Sequence, residues 1–144
     1  MKRFLASLAL AASFLVPTVA LACEGHDGPK QAALEPKKVT VTELATLTKD
    51  KKATPIDANT QKTRDEKGVI PGAVLLTSSS QFAVTELPKA KDAKLVFYCA
   101  SEKCGASHQA AKRALENGYT DVSVLPEGIA GWKKAGQPTA KPNS

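Results

Sequence analysis

Apolar residues along this chain come in short blocks, separated by polar stretches that carry glycine and proline. Val39-Thr40-Val41, Thr54-Pro55-Ile56-Asp57, Leu95-Val96-Phe97-Tyr98 and Val122-Ser123-Val124 read as strands, because each is a brief apolar or β-branched run bounded by turn residues. Helical spacing lies between them. Thr42 is the expected cap of a helix carrying Glu43, Leu44 and Leu47. Ala106, Ala110, Ala111, Ala114 and Leu115 predict a second helix to about Asn117, closed by Gly118. Glu127 to Ala135 predicts a third, with Trp132 on it. Asn59 to Lys67 is charged and reads as irregular chain or a short helix, and Phe82 to Leu87 as a helical turn. Gly68-Val69-Ile70-Pro71-Gly72-Ala73 is a tight turn leading into Val74-Leu75-Leu76. Strands alternating with helices predict an α/β fold, a mostly parallel sheet with helices on both faces. Ligands of such sheets bind at the carboxyl ends of strands, and Cys99 stands at one.

The 144 residues do not all fit that pattern. Met1-Lys2-Arg3 is a positive start, Phe4 to Val16 an apolar run, and Ala20-Leu21-Ala22 a small-x-small cleavage site. Residues 1–22 are therefore expected to be a signal peptide, too short for a comfortable membrane anchor, with a mature chain starting at Cys23 in the periplasm or another exported space. Residues 23–37 read as a flexible tether, 38–139 as the folded domain and 140–144 as a tail. Cys23 could carry a lipid, but Ala20 stands where lipoprotein signals place leucine, which favours a free N-terminus. Cys23, His26 and Asp27 are half a metal site at best, on a tether. Without Lys2 and Arg3, 18 basic side chains face 14 acidic ones, a mildly basic surface. The lysines are scattered and few aromatics lie among them, which argues against nucleic acid as a partner.

The stretch Phe97 to Ala111, FYCASEKCGASHQAA, concentrates the chemistry. A strand delivers Cys99 to a short polar loop, and a helix begins at once. Backbone N–H groups and a helix N-terminus converge there, an environment that favours a thiolate and binds anions. The plainer alternative is a buried strand-end cysteine acting as a small hydrophobe.

Several segments together resemble the rhodanese-like (thiosulfate sulfurtransferase) family. They are the Ile56-Asp57 strand end, GVIPGA at 68–73, LVFYC at 95–99, and NGYTDVSVLPEGIAGWKKAGQP at 117–138. The resemblance spans residues 38 to 139. It implies a rhodanese-like fold and a sulfurtransferase or sulfane-sulfur carrier, with Cys99 as the catalytic residue that holds a persulfide. The implied partners are a small anionic sulfur donor, such as thiosulfate or a persulfide, and a thiol acceptor. No cofactor is implied, and a monomer is expected. The chain departs from the family in three places. The loop from Cys99 is about two residues longer and has no arginine, Val69 stands where histidine is usual, and Asp-x-Arg reads Asp57-Ala58-Asn59. Weak turnover with thiosulfate is the expectation.

In that loop Ala100, Ser101, Glu102, Lys103, Gly105 and Ala106 are expected to form an anion cradle around Cys99, with Gly105 turning the backbone inward and Lys103 supplying a point charge. Asp57, Ser107 and His108 are supporting candidates: Ser107 as a helix cap, His108 as an anion or proton contact or simply an exposed first-turn residue. Tyr119 and Trp132 read as packing. Cys104, five positions after Cys99, is a resolving thiol, a permanent disulfide partner or an independent thiol, and the spacing leaves all three open. Three rival functions remain. A thiol–disulfide protein using Cys99 and Cys104 would show C-x4-C instead of C-x-x-C. A binding module that lost turnover, or a phosphatase-type or arsenate-reducing enzyme, which normally needs a loop arginine, completes the set.

Overall fold

In the computed structural model, which describes residues 35–142, the pattern resolves into five parallel strands and four helices among those residues. They run in chain order as β1 (Lys37–Lys38), α1 (Val41–Lys49), β2 (Thr54–Asp57), α2 (Gln61–Lys67), β3 (Val74–Leu75), β4 (Leu95–Tyr98), α3 (Ala106–Glu116), β5 (Val122–Leu125) and α4 (Gly128–Lys134). A 3-10 turn at Val84–Glu86 precedes β4. The sheet order is β1-β5-β4-β2-β3, with every pairing parallel.

β4 lies in the middle, fully buried, and its alternation divides the core. Leu95 and Phe97 join Ile56, Val122, Val124 and α3's Ala110, Ala111 and Ala114 on one face. Val96 and Tyr98 join Leu44 of α1 and Ile129 and Trp132 of α4 on the other. Each large apolar side chain so buried contributes about 1.5–3 kcal/mol relative to exposure. The three alanines of α3 let that helix approach the sheet closely. The period of two also aims the next residue. Cys99 follows Phe97 by two positions and so faces α3 at the carboxyl end of the sheet.

The start of the domain differs from the sequence expectation. No strand forms over 39–41; β1 lies two residues earlier, at Lys37–Lys38, and Val39 N–H donates to Val124. The helix cap is Thr40, not Thr42. Thr40 Oγ1 accepts from Glu43 N at 3.3 Å, and Glu43 Oε2 accepts from Thr40 N at 2.7 Å. The reciprocal box Thr-x-x-Glu satisfies two free N–H groups, so it fixes the helix start at Val41.

The glycine-proline turn closes between Ile70 and Ala73, with Ala73 N donating to Ile70 O at 3.1 Å and Gly72 at φ 77°. Only glycine takes that conformation without strain. Val69 and Ala140 exchange two backbone hydrogen bonds of 2.9 Å, which fastens this turn to the chain after α4. The candidate signal peptide, Cys23 as expected start of the mature chain, and the Cys23/His26/Asp27 group lie outside the described residues. No helix among the described residues is long and apolar enough to cross a membrane.

Candidate active site

The loop between β4 and α3 is held from below by the start of α4. Ile129 N donates to Cys99 O at 2.9 Å and Ala130 N to Ala100 O at 3.1 Å. That contact requires Gly128, which sits at φ 59°. A Cβ there would collide with the Cys99 carbonyl oxygen and approach Ser101 N to 2.8 Å. Beyond Ala100 the chain folds back, Cys104 N donating to Ser101 O at 3.0 Å, with Glu102 and Lys103 exposed at the tip.

Cys99 is fully buried inside this turn. Its Sγ lies 3.0 Å from Cys104 O, 3.8 Å from Ser101 O and 3.4 Å from Ser107 Oγ. The sequence expectation of N–H groups converging on Cys99 is thus reversed in part. Two loop carbonyls face its sulfur, and the thiol donates to them. Burial first, then the neighbouring Cys104, pushes the Cys99 thiol above its usual range, against the pull of the Ser107 hydroxyl and N–H. Cys104 is partly exposed. Burial would raise its thiol too, but the Cys99 thiol and the N–H groups of Ala106 and Ala100 outweigh that and hold it below the usual range. The loop's N–H groups are thus divided, those of Ala106 and Ala100 acting on Cys104 and that of Ser107 on Cys99. Both cysteines are free thiols.

The remaining predicted residues take distinct positions. Ser107 does not cap α3. The helix begins at Ala106 with Gly105 before it, so Ser107 lies inside the first turn, buried, with its hydroxyl turned to Cys99. Gly105 has φ −81°, and a Cβ there would meet nothing within 4 Å, so the backbone does not need glycine at that point. His108 is half-exposed on α3 and makes no hydrogen bond to the loop. Glu102 and Lys103, with Glu127 and Lys134, line an open cleft of about 350 Å³ on the outer side of the loop. A larger cleft of about 530 Å³, between α1, Trp132 and Pro138, contains no cysteine, histidine or carboxylate.

Asp57 is not part of the cradle. It is fully buried and paired with Arg64, whose Nε lies 3.2 Å from Asp57 Oδ1. Arg64 Nη2 also donates to Asp57 O at 3.1 Å and to Leu76 O at 2.8 Å, tying the ends of β2 and β3 together. Next to this pair, Tyr98 OH accepts from Ile70 N at 3.0 Å. Burial and the Asp57 charge push that phenol far above its usual range, so it stays protonated. Sequence reasoning missed Arg64 and the steric role of Gly128. The glycine stood in a quoted segment, but nothing in composition marks a close approach of backbones. Tyr119 and Trp132 pack as expected, each donating to a backbone carbonyl at 2.7 Å, Pro88 O and Pro138 O respectively.

A strand-borne cysteine, a loop and a helix start stand together at one end of an all-parallel five-stranded sheet, which defines the class as α/β. The rhodanese-like domain profile matches residues 40–135, and the chain belongs to that family. Among solved structures it is similar to a human single-domain sulfurtransferase (24% identity, TM-score 0.54, 67% of this chain and 95% of that one). It is also similar to a thiosulfate sulfurtransferase from Pseudomonas aeruginosa (21% identity, TM-score 0.63, 76% of this chain and 21% of that one). A Rhodopseudomonas palustris protein of unknown function, described as a possible tyrosine phosphatase, shares the fold as well (23% identity, TM-score 0.60, 73% and 85%). Among curated protein sequences nothing matches significantly.

Proposed function

We propose that this protein is a sulfurtransferase or sulfane-sulfur carrier whose persulfide resides on Cys99, taking sulfur from a small anionic donor and passing it to a thiol. The observation that carries this reading is Cys99 at the carboxyl end of β4, with Sγ 3.4 Å from Ser107 Oγ at the start of α3, in a chain of this family. The helix start offers a hydroxyl and an N–H to a sulfur anion on Cys99. With no arginine among residues 99–106, the thiosulfate anion lacks a bidentate clamp, and its turnover is expected to be slow. We propose further that the mature chain works as an exported monomer beginning at Cys23.

The test uses trypsin, because Lys94, Lys103 and Lys112 place the two cysteines on separate peptides, 95–103 and 104–112. Fully reduced protein incubated with thiosulfate, blocked with an alkylating agent and digested should show one added sulfur on peptide 95–103. Absence of added sulfur on either peptide, with thiosulfate and with a persulfide donor, would remove the reading.

A second reading has its own support. The Cys99 sulfur touches the backbone of Cys104, so one turn holds both thiols of a possible thiol–disulfide pair. Intact mass under non-reducing conditions distinguishes a disulfide from two thiols.

A further inference from the structure

We propose that Cys104 is the entry nucleophile of this site and relays sulfur to Cys99. The inference deepens the sulfur-carrying reading and rests on it. Three features of the loop support it. Cys99 is fully buried, so a donor in solution has no path to its sulfur while the Ser101–Cys104 turn is closed, whereas Cys104 is partly exposed. The Cys99 thiol is engaged as a donor, 3.0 Å from Cys104 O and 3.8 Å from Ser101 O, and acceptors in those positions oppose its ionisation. Against its partial burial, the neighbouring Cys99 thiol and then the N–H groups of Ala106 and Ala100 hold the Cys104 sulfur toward the thiolate, the form that attacks.

The relay balances without an outside oxidant or reductant. The Cys104 thiolate attacks the outer sulfur of thiosulfate. The donor's sulfur–sulfur bond breaks, and sulfite leaves with the electron pair. Cys104 now carries a persulfide anion next to the buried thiol. Cys99 attacks the terminal sulfur of that persulfide, the bond from Cys104 Sγ to it breaks, and the Cys99 proton passes to Cys104 Sγ. The products are a Cys99 persulfide anion beside the N–H and hydroxyl of Ser107, and a neutral Cys104 thiol. Attack and departure both occur between neighbouring groups of one turn, the arrangement that thiol–persulfide exchange needs.

The experiment is a quenched time course of thiosulfate loading on fully reduced wild-type protein, read on the two tryptic peptides. Added sulfur is expected first on peptide 104–112 and then on 95–103. Cys99→Ser is expected to load on Cys104 and stop there. Cys104→Ser is expected to load Cys99 at least about tenfold more slowly at neutral pH, because a buried neutral thiol must then make the first attack. Sulfur appearing first on 95–103, with Cys104→Ser loading at the wild-type rate, would overturn the relay and leave the sulfur-carrying reading standing. No sulfur on either peptide would instead remove the reading beneath it. The wild-type time course decides the order even where Cys99→Ser folds poorly.

Discussion

Arg64 Nε lies 3.2 Å from Asp57 Oδ1, and the two side chains are respectively 7% and 0% exposed. The ion pair spans from α2 to the end of β2, and its second guanidinium nitrogen reaches the carbonyl after β3. Where the family reads Asp-x-Arg, this chain has Asn59, and the cation comes back to the aspartate from one turn into a helix. Removing a single partner leaves a buried charge unpaired. Arg64→Ala is expected to destabilise the fold by about 3–5 kcal/mol. Arg64→Lys should recover only part, since a point charge cannot reach both carbonyls and the carboxylate. Thermal or denaturant unfolding checks this, and a loss below 1 kcal/mol would show the pair to be dispensable.

The loop carrying Cys99 depends on one backbone position, Gly128. An alanine there meets a left-handed conformation, costing about 1–3 kcal/mol, and also collides with the Cys99 carbonyl. Gly128→Ala should therefore lower stability and displace the loop, slowing sulfur loading, whereas Gly105→Ala should leave both near wild type. Equal effects from the two substitutions would contradict the packing described for α4 against the loop.

Opposite shifts in the two thiols give a pH signature. Cys104 is held below the ordinary cysteine range, so its alkylation by iodoacetamide should reach half-maximal rate at lower pH than a free cysteine. Cys99 is pushed up by burial, so its peptide should label only at higher pH, and slowly. The stability consequences have opposite signs. The lowered Cys104 value stabilises the fold above the ordinary cysteine range, and that contribution fades as pH falls through the lowered value. The raised Cys99 value works against the fold as pH rises past the ordinary range. Faster labelling of peptide 95–103 than 104–112 at neutral pH would reverse the assignment.

Much of this architecture was legible because it is written in apolar blocks. Leu95–Tyr98 is central and buried on both faces, so it reads as a continuous run, and the spaced alanines of α3 mark a helix lying close on the sheet. β1 was displaced because its two residues are exposed lysines, with no apolar signature to find. Arg64 was hidden for the converse reason. It sits in the polar run QKTRDEK, where nothing distinguishes a buried arginine from a solvated one. Both loop cysteines could be identified from position alone. The direction of the loop's peptide groups could not, because carbonyls at Ser101 and Cys104 facing Cys99 depend on a turn geometry that residue identity does not specify.

The N-terminal pattern yields its own expectation. If Ala20-Leu21-Ala22 is the cleavage site, the exported protein begins at Cys23 without a lipid. N-terminal sequencing and intact mass of protein recovered from the exported fraction check this. Retention of Met1, or a diacylglyceryl mass on Cys23, would replace it with an anchored form.

Cys104 should also set the redox state of the site. Its backbone touches the Cys99 sulfur, and in an oxidising compartment two thiols in one turn tend to pair. A Cys99–Cys104 disulfide would hold both sulfurs and block loading until reduced. Wild-type protein is therefore expected to require added reductant after exposure to air. Cys104→Ser cannot form that bond, so its Cys99 should load without reductant, though more slowly than reduced wild type because the faster thiolate is gone. The comparison is loading of peptide 95–103 in air-exposed and reduced samples of both proteins. Air-exposed wild type that loads as fast as reduced wild type would show that the pair does not close. A reductant requirement unchanged in Cys104→Ser would place the sensitive step on Cys99 alone.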